Sequence, residues 1–176
     1  MLDKKRFLKG IKYLNAYYSN FNFNINDDLK LEIWYGVFSS FPDDDFTNLV
    51  KDYCTKNIYA PQSPTHLFEH AKNVIFDNSM QPDDAWEYAI GLLRHVGYDF
   101  RRFYSKCEYG VISSCIKSLE SELDGVHTTS LPFIKKSFIE IYKTNLNKDI
   151  QQNISKGQIS LGFSNQNVLT YKGDKE

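Results

Sequence analysis

The residues best placed to do chemistry stand in one short run, His66-Leu67-Phe68-Glu69-His70. On a helix, His66 and His70 lie one turn apart, the spacing at which two imidazoles can share a zinc ion. Glu69 beside them could take a proton from a metal-bound water. The order H-x-x-E-H is that of the inverted zinc peptidases, and Glu140 downstream is the candidate third ligand. Three fixed positions recur by chance, however, and those peptidases are much larger and carry a sheet. The plainer expectation is a helix whose apolar face packs while His66, Glu69 and His70 face water.

The other reactive residue types fall short of a site. Cys54, Cys107 and Cys115 are an odd, widely spaced set, which is no disulfide framework. Buried or free thiols are expected. A nucleophilic Cys107 or Cys115 would need a histidine from elsewhere in the chain, and no local signature supports one. Cys54 with His66 and His70 lacks the paired-cysteine spacing of a zinc site. Neither G-x-x-x-x-G-K-[ST] nor G-x-G-x-x-G occurs, so no glycine-rich loop cradles a phosphate and a P-loop ATPase is excluded. The expectation is a non-enzyme with no catalytic residue, no cofactor and no metal.

Two segments suit a partner. In Tyr98-Asp99-Phe100-Arg101-Arg102-Phe103-Tyr104, arginine and the aromatics are the residue types that dominate interface hot spots, because they bury area and still hydrogen-bond. Aromatics beside arginine also suit stacking on single-stranded bases. The candidate partner-binding residues are therefore Tyr98, Phe100, Arg101, Arg102, Phe103 and Tyr104; the competing reading is a packed turn between helices. The second segment is the basic N-terminus, Lys4, Lys5, Arg6, Lys9 and Lys12, whose competing reading is the solvated face of a first helix. With 21 basic and 22 acidic residues the formal charge is −1. That total argues against a dedicated non-specific nucleic-acid binder, though not against a local basic patch.

Helices must position these segments. Phe7, Leu8, Ile11, Leu14 and Tyr18 recur at steps of three and four, as do Ile33, Trp34, Val37, Phe38 and Phe41, and then Phe46, Leu49, Val50, Tyr53 and Cys54. Each set marks one helix face. Asn26-Asp27-Asp28 supplies a cap and acids at the positive end of the second helix. Pro42 ends that helix, and Asp43-Asp44-Asp45 opens the third. Ser63 and Pro64 are a natural N-cap and first residue for the fourth, whose stripe is Leu67, Phe68, Ala71, Val74 and Ile75. Residues 3–76 read as a four-helix unit.

After a short linker, Pro82-Asp83-Asp84 opens a fifth helix (Ala85, Trp86, Ala89, Ile90, Leu93, Val96) that Gly97 ends. A sixth carries Val111, Ile112, Cys115, Ile116, Leu119 and Leu123. A seventh, opened by Ser130 and Pro132, carries Ile134, Phe138, Ile141, Tyr142 and Leu146. Beyond residue 149 the pattern weakens. The fold expected is all-α: an N-terminal four-helix domain over 1–77, a C-terminal helical domain over 82–148, and a flexible tail over 149–176. No apolar run of ~18 residues is present, so no membrane span is expected, and no secretory signal follows Met1.

Two segments together resemble a known family. Trp34-Tyr35, Phe46, Val50, Tyr53-Cys54 and the loop Tyr59-Ala60-Pro61-Gln62-Ser63-Pro64 leading into Leu67 look like the helical N-terminal domain of bacteriophage replicative-helicase loader/inhibitor proteins of Gram-positive hosts. Asp83-Asp84-Ala85-Trp86-Glu87, Gly97-Tyr98, and Phe133, Phe138 and Ile141-Tyr142 look like the second half of longer members. The resemblance implies a non-catalytic adaptor of phage DNA replication in the cytoplasm of the bacterial host. It would engage a hexameric DnaB-type helicase, load it or hold it inactive, and deliver it to a phage origin-binding initiator protein. Single-stranded DNA is a further expected partner. Such a protein needs only to bind one helicase conformation better than another, and two linked modules would gain avidity. The alternatives are a helical DNA-binding initiator or regulator and the zinc peptidase. The first needs a basic recognition helix, yet the second helix offers only Lys30 and the third only Lys51 and Lys56 amid acids.

Overall fold

A computed structural model describes residues 1–125, 130–156 and 161. Among them run nine helices and no strand: α1 (Lys4–Tyr17), α2 (Asp28–Phe38), α3 (Asp43–Lys56), α4 (Pro64–Asp77), α5 (Pro82–His95), α6 (Phe100–Lys106), α7 (Gly110–Ser118), α8 (Glu120–Leu123) and α9 (Leu131–Ser155). The chain is all-α, as its periodicity requires. No helix among the described residues is long and apolar enough to cross a membrane.

The contacts divide into two units. The first holds Met1–Phe76 and the described residues from Ile150 onward; the second holds Asp77–Asp149. In the first, α1 buries Phe7, Ile11 and Leu14 against α3, which buries Phe46, Leu49, Val50 and Tyr53. Gly10 permits the close approach: a Cβ there would lie 2.6 Å from Cε1 of Phe46. Around this seam sits an aromatic cluster. Phe7 and Phe46 lie 5.4 Å apart, Phe38 and Phe46 5.2 Å, and Trp34 meets Phe21 at 5.6 Å and Phe23 at 5.4 Å in edge-to-face pairs, a geometry that ring quadrupoles favour. The irregular segment between α1 and α2 is held by Asn15, whose amide nitrogen donates to Phe23 O (2.9 Å) and whose oxygen accepts from Phe23 N (3.1 Å).

Helix starts follow the acids. Asp3 caps α1 by accepting from Lys5 N and Arg6 N, and Asp27 caps α2 through Lys30 N. At α3, Pro42 occupies the cap position with no side-chain bond, and Asp43, Asp44 and Asp45 fill the first turn, where negative charge meets the positive end of the helix dipole.

The end of α9 completes the first unit. The helix runs six residues past Asp149, so the segment expected as tail begins in helical turns that pack. Ile150, Asn153 and Ile154 are buried, and Ser40 Oγ donates to Ile154 O at 2.9 Å. Leu161, only 1 % exposed, donates its backbone N–H to Oδ2 of the buried Asp45 at 3.1 Å. The pattern weakens there because one of the inward positions is the polar Asn153 and the two buried isoleucines stand amid Gln, Asn and Ser. The rest of the expected tail lies outside the described residues.

In the second unit, Ala85, Trp86, Ala89, Ile90 and Leu93 of α5 pack with Phe103, Ile112, Cys115, Ile116, Phe138 and Tyr142 as buried core. Trp86 meets Phe138 edge-on at 5.4 Å, and Phe138 stacks on Tyr142 at 5.9 Å. Tyr142 is anchored by a bond from its hydroxyl to Met80 O at 2.8 Å. The single helix expected from Val111 to Leu123 is two, α7 and α8. They break at Leu119, whose backbone sits at φ −110°, ψ 7°.

Candidate functional site

The segment from Tyr98 to Tyr104 is largely helix, and its placement begins at the end of α5. There Tyr98 N donates to Leu93 O (2.8 Å) and Gly97 N to Arg94 O (3.1 Å), the paired bonds that close a helix through left-handed residues. Gly97 at φ 67° takes this at no steric cost. Tyr98 at φ 59° is the one non-glycine residue at positive φ among those described, and a bulky side chain there is strained. Asp99 then caps α6: its carboxylate accepts from Arg102 N at 3.1 Å and pairs with Arg102 Nε at 3.4 Å.

Of the six candidate residues, three stand at the surface: Tyr98, Arg101 and Arg102. Phe100 is half-buried. Phe103 is fully buried and belongs to the core of the second unit. Tyr104 is half-buried, and its hydroxyl donates to Glu120 Oε2 at 2.9 Å. Burial, reinforced by the Glu120 carboxylate, pushes that phenol well above its ordinary range. Four residues on, a helix returns to the same face, so Phe103 turns inward while Arg101 and Arg102 turn out. What remains is a small cationic–aromatic surface at the α5–α6 corner.

The His66–His70 run is occupied otherwise. His66 Nδ1 accepts from Gln62 N at 3.3 Å. His70 does not face water: half-buried, it pairs through Nε2 with Asp52 Oδ2 at 2.8 Å and meets the Tyr53 ring edge-on at 5.2 Å. Lys56 shares that carboxylate at 3.1 Å, and Glu69 is held by Lys72 at 2.9 Å. His70 thus ties α4 to α3, while His66 is held at the start of its own helix. Among the described residues no group of three or more His, Cys, Asp or Glu side chains could hold a metal ion. Asp52 was missed because its pairing crosses from one helix to the next.

The thiols are quiet. Cys54 and Cys115 are buried and Cys107 half-buried, all free. Burial raises the Cys54 thiol, opposed by a hydrogen bond from Tyr18. Burial pushes the Cys115 thiol up to about 11, against the lowering effect of Asn145. A thiol so raised is a poor nucleophile near neutral pH.

Compared with known proteins, the chain matches no family model, no curated protein and no solved structure.

Proposed function

We propose that this protein is a non-catalytic, cytoplasmic adaptor of phage DNA replication that binds the host's hexameric replicative helicase and loads it or holds it inactive. One observation carries the reading. The residues through which the sequence resembles helicase loaders form the centres of two separate helical cores: Trp34, Phe46 and Tyr53 in the first, and Trp86, Phe138 and Tyr142 in the second. A protein with two such units on one chain can grip two surfaces, or a ring and an initiator, and needs no chemistry of its own. The Tyr98–Arg101–Arg102 surface supplies the residue types that anchor interfaces.

The test is size-exclusion chromatography with light scattering on a mixture with the host helicase, with and without nucleotide. A co-eluting complex whose mass depends on the nucleotide supports the reading and gives the stoichiometry. Helicase eluting alone in every nucleotide state, well above micromolar concentration, ends it.

A further inference from the structure

α1 carries five basic side chains and no acidic one, in a chain whose overall charge is −1. Two of the five are engaged: Arg6 with Asp44 at 3.6 Å and Lys4 over the Tyr35 ring at 5.6 Å. Lys5, Lys9 and Lys12 are exposed, and no ion pair among the described residues engages them. Steps of four from Lys5 lead to Lys9, then Tyr13, then Tyr17. These residues form one ridge of the helix, about 18 Å long at 1.5 Å per residue, with Lys12 beside it at i+3 from Lys9 and i+7 from Lys5, while Phe7, Gly10, Ile11 and Leu14 hold the buried face.

The two tyrosines differ from their neighbour. Tyr18 is 5 % exposed and its hydroxyl is bonded to Asn57 O, so it is a core residue. Tyr13 and Tyr17 are 43 % and 53 % exposed. Their rings lie nearly parallel, 16° apart in plane with centroids 6.5 Å apart, and Tyr17 is braced edge-on by Tyr18 at 4.9 Å. Parallel, braced, exposed rings at the end of a row of free ammonium groups form a platform for flat, anionic chains.

We propose that the α1 ridge is a docking surface for single-stranded nucleic acid, with Lys5, Lys9 and Lys12 along the phosphates and bases stacked on Tyr13 and Tyr17. Charge complementarity and stacking are the two contributions that sequence-independent single-strand binding uses. A duplex fits less well, because its bases are already stacked and offer the tyrosines no free face. The inference does not depend on the helicase reading, and its test uses this protein alone.

Fluorescence anisotropy with labelled oligothymidylate, oligouridylate and a fully paired hairpin, at low salt, decides it. Saturable binding of the single strands in preference to the hairpin is expected. The logarithm of affinity should fall with that of salt at a slope of about −2, for three phosphates at roughly 0.7 each. Lys9→Glu with Lys12→Glu should remove binding. Tyr13→Ala with Tyr17→Ala should weaken it about tenfold or more. Tyr13→Phe with Tyr17→Phe, which keeps both ring faces, should hold it near wild type, with circular dichroism unchanged in every variant. No saturable binding at low salt, equal binding of the hairpin, equal displacement by polyglutamate, or wild-type affinity in the double alanine variant would each overturn the proposal.

Discussion

At the residue scale, Phe103 and Arg101 stand two positions apart and play opposite parts. Phe103 is fully buried, so Phe103→Ala should cost about 3–5 kcal/mol of stability, seen as a lowered urea midpoint. Arg101→Ala with Arg102→Ala removes exposed charge and one exposed ion pair and should leave that midpoint nearly unchanged. The arginine pair is therefore the variant with which to test the proposed helicase binding. Residue types alone put all six candidates on one surface, because composition marks an interface but only the helical turn separates the inward ring from the outward guanidinium. The histidines teach the same lesson: their i, i+4 spacing suits a metal, yet His70 bonds Asp52, eighteen positions away, and His66 bonds Gln62.

Buried acids also fix a response to alkali. Cys115, ordinarily near 9, is pushed up to about 11, and Tyr142, ordinarily near 10, to about 12, both chiefly by burial. The folded state favours the neutral forms, so the unfolded chain loses these protons first and stability falls as pH rises. Their contribution should be whole below about pH 9 and shrink progressively between about pH 9 and 12. Denaturation profiles should show this decline, and Cys115→Ala should flatten its early part.

At the scale of elements, the glycines separate packing from propensity. Gly10→Ala would drive a methyl into Phe46, 2.6 Å away, and should destabilise by about 1–3 kcal/mol. Gly36 in α2 and Gly91 in α5 have open space about them. Gly36→Ala and Gly91→Ala should each stabilise by about 0.5–1 kcal/mol, and thermal melts of the three variants settle the contrast. The long stripes were legible in the sequence: Phe7–Leu14 and Phe46–Cys54 are the two sides of the α1–α3 seam. Shorter elements were not. α6 reads as a turn because its seven residues are too few to establish a period, although Asp99 is a sound N-cap. Leu119 reads as mid-helix because the break there leaves it buried all the same. Ile33 fits the α2 stripe yet is 55 % exposed, since neighbouring Trp34 and Phe38 suffice to fill the contact.

At the scale of the molecule, the first unit is assembled from both ends of the described chain. Truncation after Asp149 removes Ile150, Ile154 and Leu161, all buried, and leaves Asp45 without its bond from Leu161. Losing buried aliphatic side chains at about 2 kcal/mol or more each should lower the melting temperature markedly. Hydrogen exchange should place the loosening in α1–α4 rather than in α5–α7. Single-site changes at the far end test the link more finely: Leu161→Ala should loosen α3 near Asp45 without touching the amides of α5.

The division of Ile150 and Leu161 from the rest of their unit sets an order of events during synthesis. A ribosome delivers α1 to α4 first, then α5 to α8 and most of α9, and only then the residues that close the first unit. At about 5–20 residues per second, the first unit waits several seconds with the place of Ile154 and Leu161 empty, while the described residues of the second unit, Asp77–Asp149, have already emerged. Among the described residues, the unit begun first is thus the unit closed last.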